Sequence, residues 1–144
     1  VRYLSVCSGI EAASVAWESL GWTPVAFAEI EKFPSKVLAH HYPGVANLGD
    51  MTKFREWDIE RNAVDVLVGG TPCQSFSVAG LRKGLDDPRG NLALTFIAMV
   101  DHYRPRMGYL GKRPRCFVQL RRTGFWFLPR GVGATRVWVR LPSA

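Results

Sequence analysis

Four features of this chain have residue types and spacing that could do chemistry: Cys73, the turn Cys7-Ser8-Gly9-Ile10, and the acids Glu29 and Asp50. Cys73 sits in Gly69-Gly70-Thr71-Pro72-Cys73-Gln74-Ser75-Phe76-Ser77, directly after the apolar run Val64-Asp65-Val66-Leu67-Val68. That run is β-branched, short and closed by two glycines, so it reads as a buried strand. The thiol then falls at the carboxyl end of the strand, the edge where open α/β sheets bind ligands. Pro72 fixes the backbone just before it. A cysteine held this way is a candidate nucleophile, and a plain buried cysteine is the alternative.

The other three features lie at comparable places. Arg2 to Val6 reads as a first strand, Cys7 to Ile10 as a tight turn, and Glu11 to Leu20 as a helix. Ile10, Ala13, Trp17 and Leu20 recur at helical spacing, and Gly21 stops the helix. The turn amides and the helix N-terminus are expected to receive a carboxylate. The spacing is not G-x-G-x-x-G, which disfavours a dinucleotide phosphate site. Pro24 to Ala28 reads as a second strand ending at Glu29, about 20 residues past the turn, where an acid can accept from ribose hydroxyls. An exposed strand-end acid is the plainer reading. Glu31 to His41 reads as a helix with Phe33, Val37, Leu38 and Tyr42 inward, and Pro34 in its first turn. Asp50 ends the short run Asn47-Leu48-Gly49 and could also cap a helix over Met51 to Trp57. Ser75 to Asp87 is a long loop, and Leu92 to Tyr103 a helix that Arg104-Pro105-Arg106 ends.

The 144 residues suffice for one domain with a core, and 47% of them are apolar, which excludes disorder by composition. No apolar run approaches the roughly 18 residues of a membrane span, and no signal peptide is expected. Cys7, Cys73 and Cys116 show no paired spacing, which argues against a disulfide framework or a metal site and for a reducing cytoplasm. The adjacent His40 and His41 read as surface residues. The formal charge of +7 is unevenly placed. Residues 1–106 hold 11 Lys+Arg against 12 Asp+Glu, a net of −1; residues 107–144 hold 8 Lys+Arg and no acid, a net of +8.

Taken together, the motifs resemble those of the DNA cytosine-5 methyltransferases. Pro72-Cys73-Gln74 is similar to the family's nucleophile motif, and Leu4-Ser5-Val6-Cys7-Ser8-Gly9-Ile10-Glu11-Ala12-Ala13 to its first, cofactor-binding motif. Glu29 and Asp50 fall where the second and third motifs carry acids, and Asp87-Pro88-Arg89-Gly90-Asn91-Leu92 resembles the fifth. Family members usually carry more glycine where this chain has Glu11-Ala12-Ala13. The resemblance covers residues 1–106. It implies a Rossmann-like α/β methyltransferase fold dependent on S-adenosylmethionine, here truncated after about four parallel strands. It implies catalysis by Cys73, with the cofactor at Cys7, Ser8, Gly9, Ile10, Glu29, Asp50 and Pro72. DNA contacts would come from Gln74, Ser75, Arg82 and Arg89, with Phe76 and Lys83 in the same loop. The implied partners are double-stranded DNA, a cognate restriction endonuclease and, for a divided enzyme, a complementing chain. No metal is implied, and the expected location is the cytoplasm of a bacterial or phage-infected cell.

After Arg106 the resemblance stops, where the family would supply a strand ending in Glu-Asn-Val. Synonymous codons for Met107 to Phe117 can be chosen that, read one base later, spell W-V-I-W-E-N-V-P-G-V. The expectation is a frame slip near Arg106 and a poorly ordered, accidental tail over 107–144. The strand beside the central one would then be missing, leaving an open sheet edge, and the chain would be inactive. Two alternatives stay open: a non-catalytic module that binds S-adenosylmethionine or DNA through a basic arm, and one half of a split methyltransferase.

Overall fold

The computed structural model describes residues 1–71, 88–112, 116–121 and 124–129, with backbone alone for 88–91, 93 and everything past Leu110. Its elements are β1 (Arg2–Val6), α1 (Ala12–Trp17), a 3₁₀ turn (Glu18–Leu20), β2 (Thr23–Ala28), α2 (Lys32–His41) and a second 3₁₀ segment (Met51–Glu56). They continue with β3 (Val66–Gly69), α3 (Pro88–Tyr103), β4 (Met107–Lys112), β5 (Cys116–Arg121) and β6 (Gly124–Pro129). The strands form one sheet in the order β2-β1-β3-β4-β5-β6. The first four are parallel; β5 and β6 add on antiparallel.

Register explains where the site must be. Val6 pairs with Ala28 on one side and with Gly69 on the other. Three strands therefore end level, and Cys7, Glu29 and Gly70 are the next residues out. The chain leaves β1 toward β2 but returns to β1's other side as β3, so β1 and β3 flank a topological switch point.

Alternation along the strands builds two cores. Leu4, Val6 and Leu67 pack on one face with Phe54 and with Phe96, Met99, Val100 and Tyr103 of α3. Tyr3, Phe27, Leu38 and Val66 form the other, with Trp17, Trp22, Tyr42, Met107 and Tyr109 around them. Trp17 anchors α1 there, its ring 5.1 Å from Tyr3 and 4.8 Å from Trp22. Tyr103 also donates from its hydroxyl to the Phe54 carbonyl at 2.8 Å, tying α3 to the second 3₁₀ segment.

Several expectations need correcting. Met51–Glu56 is a 3₁₀ segment that breaks from helical backbone at Lys53, with Asp50 capping it through the Thr52 amide. Phe33 is 72% exposed, and Ile10 and Leu20 also face solvent, so the apolar spacing overstated both helical faces. Beside the central strand the sheet is not open. Met107–Lys112 pairs in parallel with β3, from Val66↔Met107 to Gly69↔Leu110. Any extended segment can satisfy the backbone groups of a bare strand edge, and the chain after α3 is well placed to do so. His40 and His41 are both exposed, as expected.

Gly69 is the tightest point of the sheet. A Cβ there would lie 2.8 Å from Val6 Cγ2 and 3.0 Å from Phe96 Cε2. Gly69→Ala should therefore lower stability by about 1–3 kcal/mol through overpacking. The expected readout is a lower urea midpoint at unchanged slope; an unchanged midpoint contradicts this packing.

Candidate cofactor site

The turn after β1 is built from left-handed backbone. Cys7 (φ 48°), Gly9 (φ 57°) and Glu11 (φ 66°) all lie in that region. For the two non-glycine residues this costs roughly 1–2 kcal/mol each. The turn is held by its neighbours. Ser8 N–H donates to the Ala28 carbonyl at 3.3 Å, and Glu11 N–H to the Ser8 carbonyl at 3.0 Å. Gly9 N–H donates to Glu29 Oε2 at 2.8 Å, and Glu31 N–H to Glu29 Oε1 at 2.8 Å.

These bonds engage part of the turn, the amides of Ser8, Gly9 and Glu11. Glu29 holds Gly9, and α1 is only six residues long, with its Ser14 N–H taken by Glu11 Oε1 at 3.1 Å. The turn thus presents acids as well as amides.

Asn47 sets the second acid in place. Phe27 and Asn47 form a parallel bridge, and Leu48 N–H donates to the Phe27 carbonyl at 2.8 Å. The Asn47 side chain accepts from Glu29 N–H at 3.0 Å and donates to the Glu29 carbonyl at 3.1 Å. It also accepts from the amide of Gly49, which bends back at φ 72° and leads to Asp50. Asp50 Oδ1 takes the Thr52 amide at 2.9 Å and hydroxyl at 2.8 Å, which holds its carboxyl below the ordinary aspartate range. Asp50 is thus the expected cap, and its second oxygen is left to accept elsewhere.

Cys7, Glu29, Ile30, Glu31, Asp50 and Leu92 line a cavity of about 260 Å³ at the ends of the strands. The sequence reasoning missed Ile30 and Leu92. Ile30 is 69% exposed although it is a large apolar residue beside a strand-end acid, and that pattern could have marked it. The Cys7 thiol is pushed up to about 11, first by burial and then by Glu29 and Asp50, which disfavours its thiolate at neutral pH. Met51 Sδ lies 3.5 Å from it.

The backbone of β3 is followed in sequence by Pro72-Cys73-Gln74. Gly70 N–H donates to the Val6 carbonyl at 3.3 Å, and Thr71 is buried. Pro72, Cys73, Gln74, Ser75, Phe76, Arg82 and Lys83 lie outside the described residues, and Arg89 is described by its backbone alone within α3. Among the described residues no cluster of His, Cys, Asp and Glu could hold a metal ion, and no helix is long and apolar enough to cross a membrane.

A model of the C-5 cytosine-specific DNA methylases matches residues 1–109. The chain belongs to that family. A relative from Escherichia phage P1, named DNA N-6-adenine-methyltransferase, is 62% identical over 101 residues, covering 69% of this chain and 13% of its own length. The orphan methyltransferase M.Rho11sI of Bacillus phage rho11s is 39% identical over 110 residues, 74% of this chain and 22% of its own. The chain thus spans less than a quarter of either relative. Among solved structures, a DNA modification methyltransferase from an Escherichia coli prophage superposes with a TM-score of 0.58 at 22% identity, over 76% of this chain and 31% of its own. That likeness shows a shared Rossmann-like α/β fold. Methyl transfer in this family draws on S-adenosylmethionine, and the groups present fit it: two carboxylate acceptors, Glu29 and Asp50, and an apolar wall around one cavity.

The buried Glu11 gives this subsection its prediction. It is 1% exposed, and burial pushes its carboxyl up, against hydrogen bonds from Ser5 and Ser14. A folded value above the unfolded one means that the protonated acid contributes stability below the unfolded pKa. That contribution is lost as pH rises through the folded value. The stability of the chain relative to Glu11→Gln should therefore fall between pH 4 and pH 8. Urea unfolding at both pH values checks this, and a pH-independent difference contradicts it.

Proposed function

We propose that residues 1–106 are the cofactor-binding part of a DNA cytosine-5 methyltransferase whose nucleophile is Cys73. The observation that carries this is convergence: the β1 turn, Glu29 and Asp50 share one cavity at the switch point, and β3 runs from beside it into Pro72-Cys73-Gln74. Glu29 would accept from the ribose hydroxyls and Asp50 from the adenine amino group. Ile30 and Leu92 would cover the ring faces. Pro72 would close the methyl-donor side, and Gln74, Ser75, Arg82 and Arg89 would contact DNA.

In this reading the target cytosine is flipped from double-stranded DNA into the pocket. The Cys73 thiolate adds to carbon 6, carbon 5 becomes nucleophilic and takes the methyl group, a base removes the carbon 5 proton, and the thiolate leaves. S-adenosylmethionine supplies that methyl group. The name of the phage P1 relative refers to adenine. An exocyclic amine needs no covalent activation, whereas carbon 5 does, and Pro72-Cys73-Gln74 suits the latter. The setting we assign is the cytoplasm of a bacterial or phage-infected cell.

The remaining residues we read as an out-of-frame tail. The family match ends at residue 109, close to Arg106, and residues 107–144 contain no acid to serve as the family's glutamate. That general acid is typically worth about 10²–10⁴-fold. Backbone pairing of Met107–Lys112 with β3 is compatible with this, since it requires extended chain and not a particular side chain.

Two experiments test the reading. The gene read from the Arg104 codon should spell W-V-I-W-E-N-V-P-G-V, or close to it, in the next frame; no such frame restores the tail as an evolved arm. The restored product should transfer labelled methyl groups to cytosine in DNA, lose that activity in Cys73→Ser, and exceed the present chain by about 10²-fold or more. Methylation of adenine alone, or activity indifferent to Cys73, overturns the assignment.

A further inference from the structure

Glu11 is the one described acid that is fully buried, and it lies where two kinds of local cost meet. Its backbone is left-handed at φ 66°. Among the described residues its carboxylate has no cationic partner; Ser5 Oγ donates to Oε2 at 2.7 Å and Ser14 N–H to Oε1 at 3.1 Å, with the Ser8 and Ser14 hydroxyls also acting on it. An ionised carboxylate taken out of water is penalised by several kcal/mol unless it is paired. Ser14 is in turn held by the Tyr3 hydroxyl, so the acid sits in a fixed polar chain within an otherwise apolar core.

This acid also borders open space. With Ser5, Ser8, Ala12, Trp17 and Gly70 it lines a second cavity of about 460 Å³. Cys7 and Gly70 line both this cavity and the one holding Glu29 and Asp50. A ligand whose adenosine end meets Glu29 and Asp50 would pass the turn and enter beside Glu11. S-adenosylmethionine is cationic at that end, at its ammonium and its sulfonium. The amides of Ser8, Gly9, Glu11 and Ser14 are already engaged within the protein.

We infer that the Glu11 carboxylate is the counter-ion for the cationic methionine end of the cofactor. This rests on the cofactor reading above. The lone pairs that Ser5 and Ser14 leave unused would accept from the ligand, and the ligand's charge would offset the burial of the acid. The site would then bind a cation and ionise Glu11 in one event.

The groups facing Glu11 are Tyr3 and Ser5 on β1, Cys7 and Ser8 in the turn, Ser14 on α1, Tyr109 across the cavity and Glu29 beyond Gly9. The Tyr3 hydroxyl and the Cys7 thiol are both pushed up by burial, so neither titrates between pH 5 and pH 8. Glu29 is common to wild type and any Glu11 variant, so their difference isolates Glu11.

The test is calorimetric titration of the full chain and of Glu11→Gln with S-adenosylmethionine and S-adenosylhomocysteine, from pH 5 to pH 8. At pH 8 the variant should bind S-adenosylmethionine about tenfold or more weakly, the size of a lost charge-assisted hydrogen bond. That gap should close as pH falls and wild-type Glu11 protonates. A loss shared by both ligands assigns the charge to the ammonium; a loss confined to S-adenosylmethionine assigns it to the sulfonium. Equal affinity of wild type and variant at every pH overturns the inference. If Glu11→Gln does not fold, wild type titrated across the same pH range in buffers of different ionisation heat decides: proton release on binding within that range supports it, and none at any pH overturns it. Wild type that binds neither ligand at any pH refutes the cofactor reading itself.

Discussion

The hydrogen bond from Gly9 N–H to the Glu29 carboxylate, 2.8 Å long, is the constraint on which the upper edge of the sheet depends. It joins the end of β1 to the end of β2 across a turn with three left-handed residues. Without it the turn would relax, and Cys7 would lose the geometry that places it between the two cavities. The same carboxylate caps Glu31, and Asn47 holds the Glu29 backbone from below. The acid is thereby oriented before any ligand arrives, which lowers the ordering cost of binding.

The sheet supplies the rigidity for this. β1 is fully paired on both sides, and its side chains feed both cores. Gly69 lets β3 approach β1 and α3 closely, so the segment leading to the nucleophile motif starts from a fixed point. Strain in the turn and the burial of the Glu11 carboxyl are tolerated because the packed strands over-determine them. The chain that carries this arrangement spans 13% and 22% of the length of the two phage relatives described above.

Much of this was legible in the sequence because strand ends are legible. Short apolar runs closed by glycine or an acid marked β1, β2 and β3, and with them Cys7 and Glu29, while Asp50 was marked by the short run Asn47-Leu48-Gly49 that it ends. Periodicity was a poorer guide to burial. Phe33 and Ile10 sit at helical spacing yet face solvent, since α1 and α2 are short and each is anchored by a few residues such as Trp17 and Leu38. Glu11 reads in sequence as the start of the first helix, within the first motif. Only the fold reveals that its left-handed backbone turns it inward onto Ser5 and Ser14. The pairing of Met107–Lys112 was illegible because it depends on the free edge of β3 and not on any pattern of its own.

The most direct test of the central claim is the dissociation constant for S-adenosylmethionine of the chain and of its Glu29→Ala and Asp50→Ala variants, with circular dichroism to confirm folding. The account predicts measurable binding that weakens by about tenfold or more in each variant, as expected when a charged acceptor is removed. Absence of binding, or binding that neither substitution alters in a folded chain, would contradict it.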